Sequence, residues 1–283
     1  MIQTRKTTWL LAGWMLLCIP AQADNLEVAM SAAPGVVNHR IPDATLHRIL
    51  DNAGVLPQLS TLATTIIGES RAQWQSCSPM TVSVDTWIRQ AMSSDLMTQH
   101  AVDALRDELD ASTVAAVIVW LESAPGQAIT RAEHASASLS DAEFNHLFST
   151  LGETPGYRKE RAPRIKALLH STRAAEFVTV LNSELDTLVQ LASACSPTRG
   201  AIRELLSAAS SQRQDLELVT LIMGINLQAP TAVIYRDVDD AVIDAYLEFA
   251  SSTAGKAYHA ALIKVTSDTL VERLEAFATW RER

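Results

Sequence analysis

Residues 118–128 read IVWLESAPGQA and residues 247–257 read LEFASSTAGKA, and these two stretches decide how the chain is organised. The matched positions are Trp120 and Phe249, Ser123 and Ser252, Gly126 and Gly255, and Gln127 and Lys256. In each stretch an apolar segment with an aromatic residue leads to a serine, and a glycine follows three residues later. A serine there can cap a helix start, and a glycine lets another backbone segment approach closely. We therefore predict two helix–corner–helix units whose residues pack rather than react.

Two further tracts match in the same order along the chain. Ile49-Leu50-Asp51 lies over Leu168-Leu169-His170, and each tract reaches a Cys-Ser-Pro sequence after about the same distance. Three matches at similar spacing indicate an internal duplication. The alternative is the chance alignment that helical sequences rich in Ala and Leu often give.

Apolar residues recur at helical spacing through most of the chain, for example at Leu46, Ile49 and Leu50. Ser140 and Glu143 form a capping-box pattern, which marks a helix start. We predict an all-α fold of two tandem, related multi-helix repeats packed as a bundle-like array. The predicted parts are an N-terminal extension at 24–42, repeats at 43–150 and 164–283, and a linker at 151–163 that is rich in Gly and Pro. Whether the repeats form two lobes or one merged domain is open, and β-branched residues 231–235 favour a short strand or extended loop.

Residues 1–23 have the organisation of a cleaved signal peptide. Arg5 and Lys6 form a positive region, Trp9–Ile19 is an uncharged apolar run of 11 residues, and Ala21-Gln22-Ala23 is a small-x-small cleavage pattern. A spanning helix needs about 20 apolar residues, so the run favours export over an anchor. Cleavage would leave 260 residues and lower the formal net charge from −9 to −11. We expect a soluble periplasmic or secreted protein with no transmembrane segment after cleavage.

The composition excludes several classes of protein. Of the 283 residues, 48% are hydrophobic and only 10 are Gly and 10 Pro, which excludes disordered, collagen-like and low-complexity chains. The negative charge leaves no overall footprint of nucleic-acid binding.

Cys77 and Cys195 would remain after cleavage, each within Cys-Ser-Pro. An even pair in an exported protein predicts a disulfide, and two separate buried thiols are the alternative. The bridge would close a loop of 117 intervening residues. The chain-entropy model assigns such a loop about 4–5 kcal/mol. Cys18 would leave with the signal peptide, and Leu17 before it disfavours lipoprotein processing.

The aromatic-x-x-Ser-x-x-Gly pattern, ending a helix in an exported helical protein, resembles the bacterial family called domain of unknown function 2059. The resemblance rests on Trp120, Ser123, Gly126 and Gln127, and again on Phe249, Ser252, Gly255 and Lys256. It would cover most of the mature chain as two copies. The family commonly has a second aromatic where Leu121 and Ala250 stand, and a Lys where Gln127 stands. The resemblance implies an α-helical periplasmic domain without an established activity.

Known catalytic patterns are missing from the sequence, which has neither a His-Glu-x-x-His zinc motif nor a P-loop. Gly68-Glu69-Ser70-Arg71-Ala72 comes nearest to a nucleophile elbow, but its helical surroundings favour an ordinary helix-surface serine at Ser70. Glu143 and His146 form one Glu-x-x-His, whereas a di-iron bundle needs two such pairs and two further Glu. We therefore predict no catalytic, cofactor-binding or metal-ligating residue.

Export, duplication and the missing catalytic patterns together favour a non-enzymatic protein. It would bind a periplasmic or envelope protein, or serve as an accessory of the envelope. A hydrolase of unrecognised type acting on envelope material is an alternative. A carrier of a small molecule or lipid in a helical cavity is another. No cofactor or nucleic acid is expected, and the oligomeric state is left open.

Overall fold

The computed structural model describes residues 41–74, 81–153, 157–195, 198–214 and 216–282. Within these ranges the chain forms 14 α-helices and no strand, which confirms the all-α prediction. The helices are α1 Asp43–Asn52, α2 Val55–Trp74, α3 Thr81–Ala91, α4 Ser94–Glu108, α5 Ala111–Glu122, α6 Ala124–Ala137, α7 Asp141–Thr150, α8 Ala162–Ser171, α9 Ala174–Ser193, α10 Arg199–Gln214, α11 Glu217–Asn226, α12 Gln228–Ile234, α13 Asp240–Ser251 and α14 Thr253–Arg281. The predicted signal peptide and Cys77 lie outside the described residues.

Short polar side chains fix several helix starts. Asp110 caps α5 by accepting from the Thr113 N–H at 2.7 Å. At the start of α7, Ser140 and Glu143 form the predicted capping box, with each side chain accepting from the other residue's backbone N–H. These contacts satisfy donors that a helix start leaves unpaired.

The predicted linker at 151–163 is partly helical. Leu151–Glu153 forms a 3₁₀ turn and Tyr157–Arg161 a π-helical turn. Arg161 donates to the carbonyls of Arg236, at 2.6 Å, and Val238, so this segment is tied to the chain just before α13. Pro163 lies in the first turn of α8, where its missing N–H costs no helical hydrogen bond.

The prediction of a strand or loop at residues 231–235 is wrong. Thr231, Val233 and Ile234 lie in α12 and are buried. β-branched residues have only a slight preference against helix, and burial outweighs it.

Three pairs of helices, one member from each half, match in length and in order along the chain. Helices α1 and α8 have 10 residues each, α2 and α9 have 20, and α5 and α13 have 12. Gly54 joins α1 to α2 with a φ of 71°, and Arg173 joins α8 to α9 with a φ of 54°. Among the described residues only these two have a left-handed φ, and they occupy matching corners.

The hydrophobic interior consists of two clusters, and each draws on both halves. The first cluster joins buried residues of α1–α5 to α9, α10 and α14. The second joins residues of α6 and α7 to α8, α9, α12 and α13. Helix α6 packs on α5 of its own half and on α12 and α13 of the second, and α14 packs on α9 of its own half and on α4 and α5 of the first. The helix that follows each serine corner therefore contacts both halves, and the described core does not divide at the linker.

Candidate functional site

Both serine corners have the same local geometry. The Ser123 hydroxyl donates to the Trp120 carbonyl at 2.6 Å and accepts from the Gly126 N–H at 3.1 Å. At the second corner, the Ser252 hydroxyl donates to the Phe249 carbonyl at 2.6 Å and accepts from the Gly255 N–H at 3.0 Å.

Each glycine is required by a close backbone approach. A Cβ atom at Gly126 would lie 2.0 Å from the Trp120 carbonyl oxygen, and one at Gly255 would lie 2.0 Å from the Phe249 oxygen. Both distances are far inside van der Waals contact. Beyond the glycines, the side chain of Gln127 donates to the Glu122 carbonyl at 3.1 Å. Lys256 is exposed. The serine and glycine of each motif thus fix the backbone path at its corner.

The two corners meet through their aromatic residues. The rings of Trp120 and Phe249 stack with centroids 4.8 Å apart and planes 5° from parallel. Tyr246 also stacks on Trp120, at 5.4 Å. Because the stacked pair comes from matching positions, the two helix–corner–helix units touch each other at equivalent points.

A partly open cavity of about 120 Å³ lies beside this contact. Its walls come from the α1–α2 and α8–α9 corners, the two serine corners and α12. The lining residues with polar side chains are Asn52, Thr130, Glu133, Ser136, Thr172, Thr231, Tyr235, Tyr246, Tyr258 and His259. The other walls are mainly apolar, including Trp120, Ile129, Leu168, Phe177 and Leu262. A cavity with apolar walls and a few polar groups is the usual form of a small-molecule site.

Glu133 is the one acidic residue on this wall, and no Lys or Arg lies on it. The Tyr235 hydroxyl donates to Glu133 Oε1 at 2.6 Å. Glu133 is half-buried as a whole residue. Desolvation of its carboxyl raises the Glu133 pKa to about 7, against the lowering effect of the Tyr235 hydrogen bond. The carboxyl can therefore change charge near neutral pH.

His259 supplies a second polar group, and only 7% of the residue is exposed. Its Nε2 has no hydrogen-bond partner, and neither has the Thr231 hydroxyl. Burial lowers the His259 pKa to about 4, so the imidazole is neutral at pH 7. Desolvation also raises the pKa values of Tyr246 and Tyr258, and the Glu133 charge adds to both shifts. Buried polar atoms normally have partners, so two unpaired ones beside a cavity indicate a place for a ligand or water.

Glu133, Tyr235 and His259 are not among the residues that the sequence patterns predict for a site. A usable signal for Glu133 and His259 was their position after the corner glycines. Glu133 follows Gly126 by two helical turns, and His259 follows Gly255 by one, which places each on the same helix face as its glycine.

Ser70 differs from its prediction as a helix-surface serine. It lies within α2 and is fully buried, and its hydroxyl has no hydrogen-bond partner. The reason is its register, because Ser70 falls on the face of α2 that carries the buried Ile66 and Ile67. No histidine therefore lies within hydrogen-bond reach of Ser70 in the described part of the chain.

Glu143 is engaged in the α7 cap described above. The described residues contain no group of three or more His, Cys, Asp or Glu side chains placed to hold a metal ion. Cys195 follows α9, but its proposed partner Cys77 is not described. Their pairing stays a prediction.

Helix α11 exposes five aliphatic side chains to solvent. Leu218, Val219, Leu221, Ile222 and Ile225 are between 47% and 66% exposed. The helix packs against α8 and α9. We call these five side chains the α11 face.

No single helix in the described ranges is long and apolar enough to cross a membrane. Helices α11 and α12 together have the length and composition of a broken span, bent by 44°. Residues 230–234 of α12 are buried in the second cluster.

Comparison of the chain with protein-family models, with curated proteins and with solved structures gives no match. The cavity and the α11 face are the two features of the described chain that point to a function.

Proposed function

We propose that this chain is a non-enzymatic binding protein of the bacterial periplasm that docks a helix of a partner protein on the α11 face. The observation that carries the proposal is the exposure of five large aliphatic side chains on one short helix. Monomeric proteins rarely expose contiguous apolar surface of this kind without a use for it.

The equivalent place in the first half supports a helix as the occupant. Helix α4 occupies the place of α11 in the helix order, and it packs against α1, α2 and α14. Helix α11 packs against α8 and α9, which match α1 and α2. The helix that matches α14 is α6, which has only 14 residues where α14 has 29. A helix supplied by a partner would take the place that the part of α14 around Lys264 and Glu272 takes on α4, where these two residues pair with Glu108 and His100.

The chemistry of the α11 face defines the partner. Leu218, Leu221, Ile222 and Ile225 follow the spacing of one helical stripe, which complements the apolar stripe of an amphipathic helix. Lys166 and Glu217, which have opposite charges, both border the adjoining groove. We therefore expect an amphipathic helix that docks through its apolar stripe rather than through one sign of charge.

Site-specific photocrosslinking in cells tests the proposal. A photoreactive amino acid at Leu221 should capture one envelope protein, whereas the same amino acid at the exposed Glu153 should not. A peptide covering the captured segment should bind the purified protein and gain helical circular dichroism. Leu221→Asp should weaken that binding at least tenfold. Capture of a second copy of this chain, capture of lipid, or a peptide that binds without becoming helical would overturn the proposal.

Export and the disulfide belong to the same proposal. Helices α2 and α9, which precede Cys77 and Cys195 in the chain, pack together. The support for the disulfide is the even pair of cysteines in a chain with a predicted signal peptide. The periplasmic protein should begin at Asp24 and titrate no free thiol when denatured without reductant. An uncleaved N-terminus or two titrated thiols would contradict this.

We also propose that the chain arose by duplication of one unit of the kind that the domain of unknown function 2059 resemblance implies. The matched helix lengths, the two left-handed corners and the two identical serine corners support this. The cavity beside the serine corners is a separate observation, and it favours the alternative of a small-molecule carrier.

A further inference from the structure

We propose that the cavity between the two serine corners binds a small organic cation, a primary ammonium of about five or six non-hydrogen atoms. This function is independent of helix docking on the α11 face. It rests on the Glu133 carboxyl, the unpaired His259 Nε2 and the apolar walls that surround them.

The size of the ligand follows from the volume. The cavity measures about 120 Å³. An engineered protein cavity of roughly 150 Å³ accepts benzene, which has six non-hydrogen atoms. A short alkylammonium therefore fits within this volume.

The charge of the ligand follows from the lining. The cavity wall carries one carboxyl group and no cationic side chain. A buried carboxylate loses its hydration, and a cation beside it restores favourable electrostatics. An anion would lose its own hydration and meet no positive group here. The mainly apolar walls match a hydrocarbon body.

The hydrogen bonds select an ammonium with N–H donors. Glu133 accepts from Tyr235 at only one oxygen, Oε1, in the contact described above. Neutral imidazole has one acceptor nitrogen, and a threonine hydroxyl can accept as well. A primary ammonium has three N–H donors, which suit the Glu133 carboxyl and an unpaired acceptor on the same cavity wall, His259 or Thr231.

Calorimetric titration with n-butylammonium tests the inference. We expect saturable binding between about 10 µM and 10 mM, the range open to a ligand of five non-hydrogen atoms. Butan-1-ol, which has the same shape without the charge, should bind at least tenfold more weakly, and butyrate should not bind. Fluorescence of Trp120, which borders the cavity, provides a second readout.

Variants locate the binding. Glu133→Gln keeps the shape of the side chain and removes its charge, so n-butylammonium affinity should fall at least tenfold, since a hydrogen bond to a charged group is lost. Glu153→Gln removes a carboxylate from an exposed turn and should change nothing. Leu221→Asp should also leave this binding unchanged, which separates the cavity from the α11 face.

Three results would overturn the inference. They are no binding of n-butylammonium up to 10 mM, equal affinity for butan-1-ol, and unchanged affinity in Glu133→Gln. The comparison of amine and alcohol needs only the wild-type protein, so it decides the question even if a variant does not fold.

Discussion

Helices α4 and α11 occupy corresponding places in the two halves, yet one is core and the other is surface. Met97, Ala101 and Leu105 of α4 are fully buried, and α14 packs on this helix. On α11, Leu221 and Ile225 are 63% exposed. Both helices carry apolar side chains, so the difference lies in the covering helix, because α14 has 29 residues and α6 has 14. An apolar stripe predicts a buried face only when another element is long enough to cover it.

The largest expected effect distinguishes a buried side chain of the covering helix α14 from an exposed side chain of α11. Phe277 of α14 is fully buried and stacks on Trp87 at 4.5 Å. Phe277→Ala should lower the free energy of unfolding by about 3–5 kcal/mol, the usual cost of removing a buried phenylalanine. Leu221→Ala on the α11 face should change it by less than about 0.5 kcal/mol.

Urea denaturation of both variants checks this contrast. Equal losses for Phe277→Ala and Leu221→Ala would show that α11 is covered in solution, by a second copy or by residues outside the described ranges. Repeating the measurement over a wide range of protein concentration distinguishes those two sources.

The next effect tests whether the two serine corners are equivalent. Gly126→Ala and Gly255→Ala would each push a Cβ atom against a carbonyl oxygen. Each should lower the free energy of unfolding by about 1–3 kcal/mol through overpacking. Gly68 of α2 is the matched control, since a Cβ there meets nothing within 4 Å. Gly68→Ala should stabilise the protein by about 0.5–1 kcal/mol.

Thermal and urea unfolding of the three glycine variants decide the matter. If only one of Gly126→Ala and Gly255→Ala lowers the free energy of unfolding, the two corners contribute unequally to stability although they are alike in geometry.

Local features of this fold were predictable from the sequence, and features that join distant segments were not. The Ser140 capping box and both serine corners depend on residues within a few positions of each other. The pair of Glu133 and Tyr235 joins residues 102 positions apart, and no periodicity indicates it. The packing of α6 and α14 on helices of both halves could not be predicted from the sequence either, since each helix carries an apolar stripe that could face either half.

The same reason explains the errors. Helical spacing in α11 reports which side chains share a face and not what covers them, so the exposure of this face was not predictable. Residues 231–235 were expected to be extended from their β-branched composition, but α12 is buried against α6, α7 and α8 as a helix. Ser70 was placed on the surface although its register puts it beside Ile66.

A smaller effect sharpens the comparison of the two corner helices. Glu133 stands seven residues after Gly126, whereas Leu262 stands seven residues after Gly255. Because the Glu133 pKa is raised from 4.5 to about 7, the folded protein favours the protonated carboxyl. Below pH 4.5 both folded and unfolded states are protonated, and no penalty exists. From pH 4.5 to 7 the unfolded chain ionises first, so the wild type loses stability relative to Glu133→Gln.

The melting temperatures of wild type and Glu133→Gln from pH 4.5 to 8 test this sign. Their difference should be near zero at pH 4.5 and largest above pH 7. His259 acts in both proteins, and its lowered pKa makes both lose stability as pH falls from 6.5 to 4. Burial raises the pKa values of Tyr246 and Tyr258 above their ordinary value near 10, so neither titrates in this range. A constant difference across the range would mean that the carboxyl is hydrated like a surface group.

The smallest effect concerns the left-handed corners at Gly54 and Arg173. A residue with a side chain pays about 1–2 kcal/mol for a left-handed backbone, and glycine does not. Arg173 also pairs with Glu176 at 2.5 Å. Arg173→Gly and Arg173→Ala both lack that ion pair, so their free energies of unfolding differ only through the cost of the left-handed backbone. Glycine should be more stable than alanine at position 173 by about 1 kcal/mol. The free energy of unfolding of the wild type should exceed that of Gly54→Ala by the same amount, within roughly 0.5 kcal/mol for independent sites. A difference at position 54 but none at position 173 would show that the second corner relaxes into another conformation, and that the two halves differ in backbone as well as in cover.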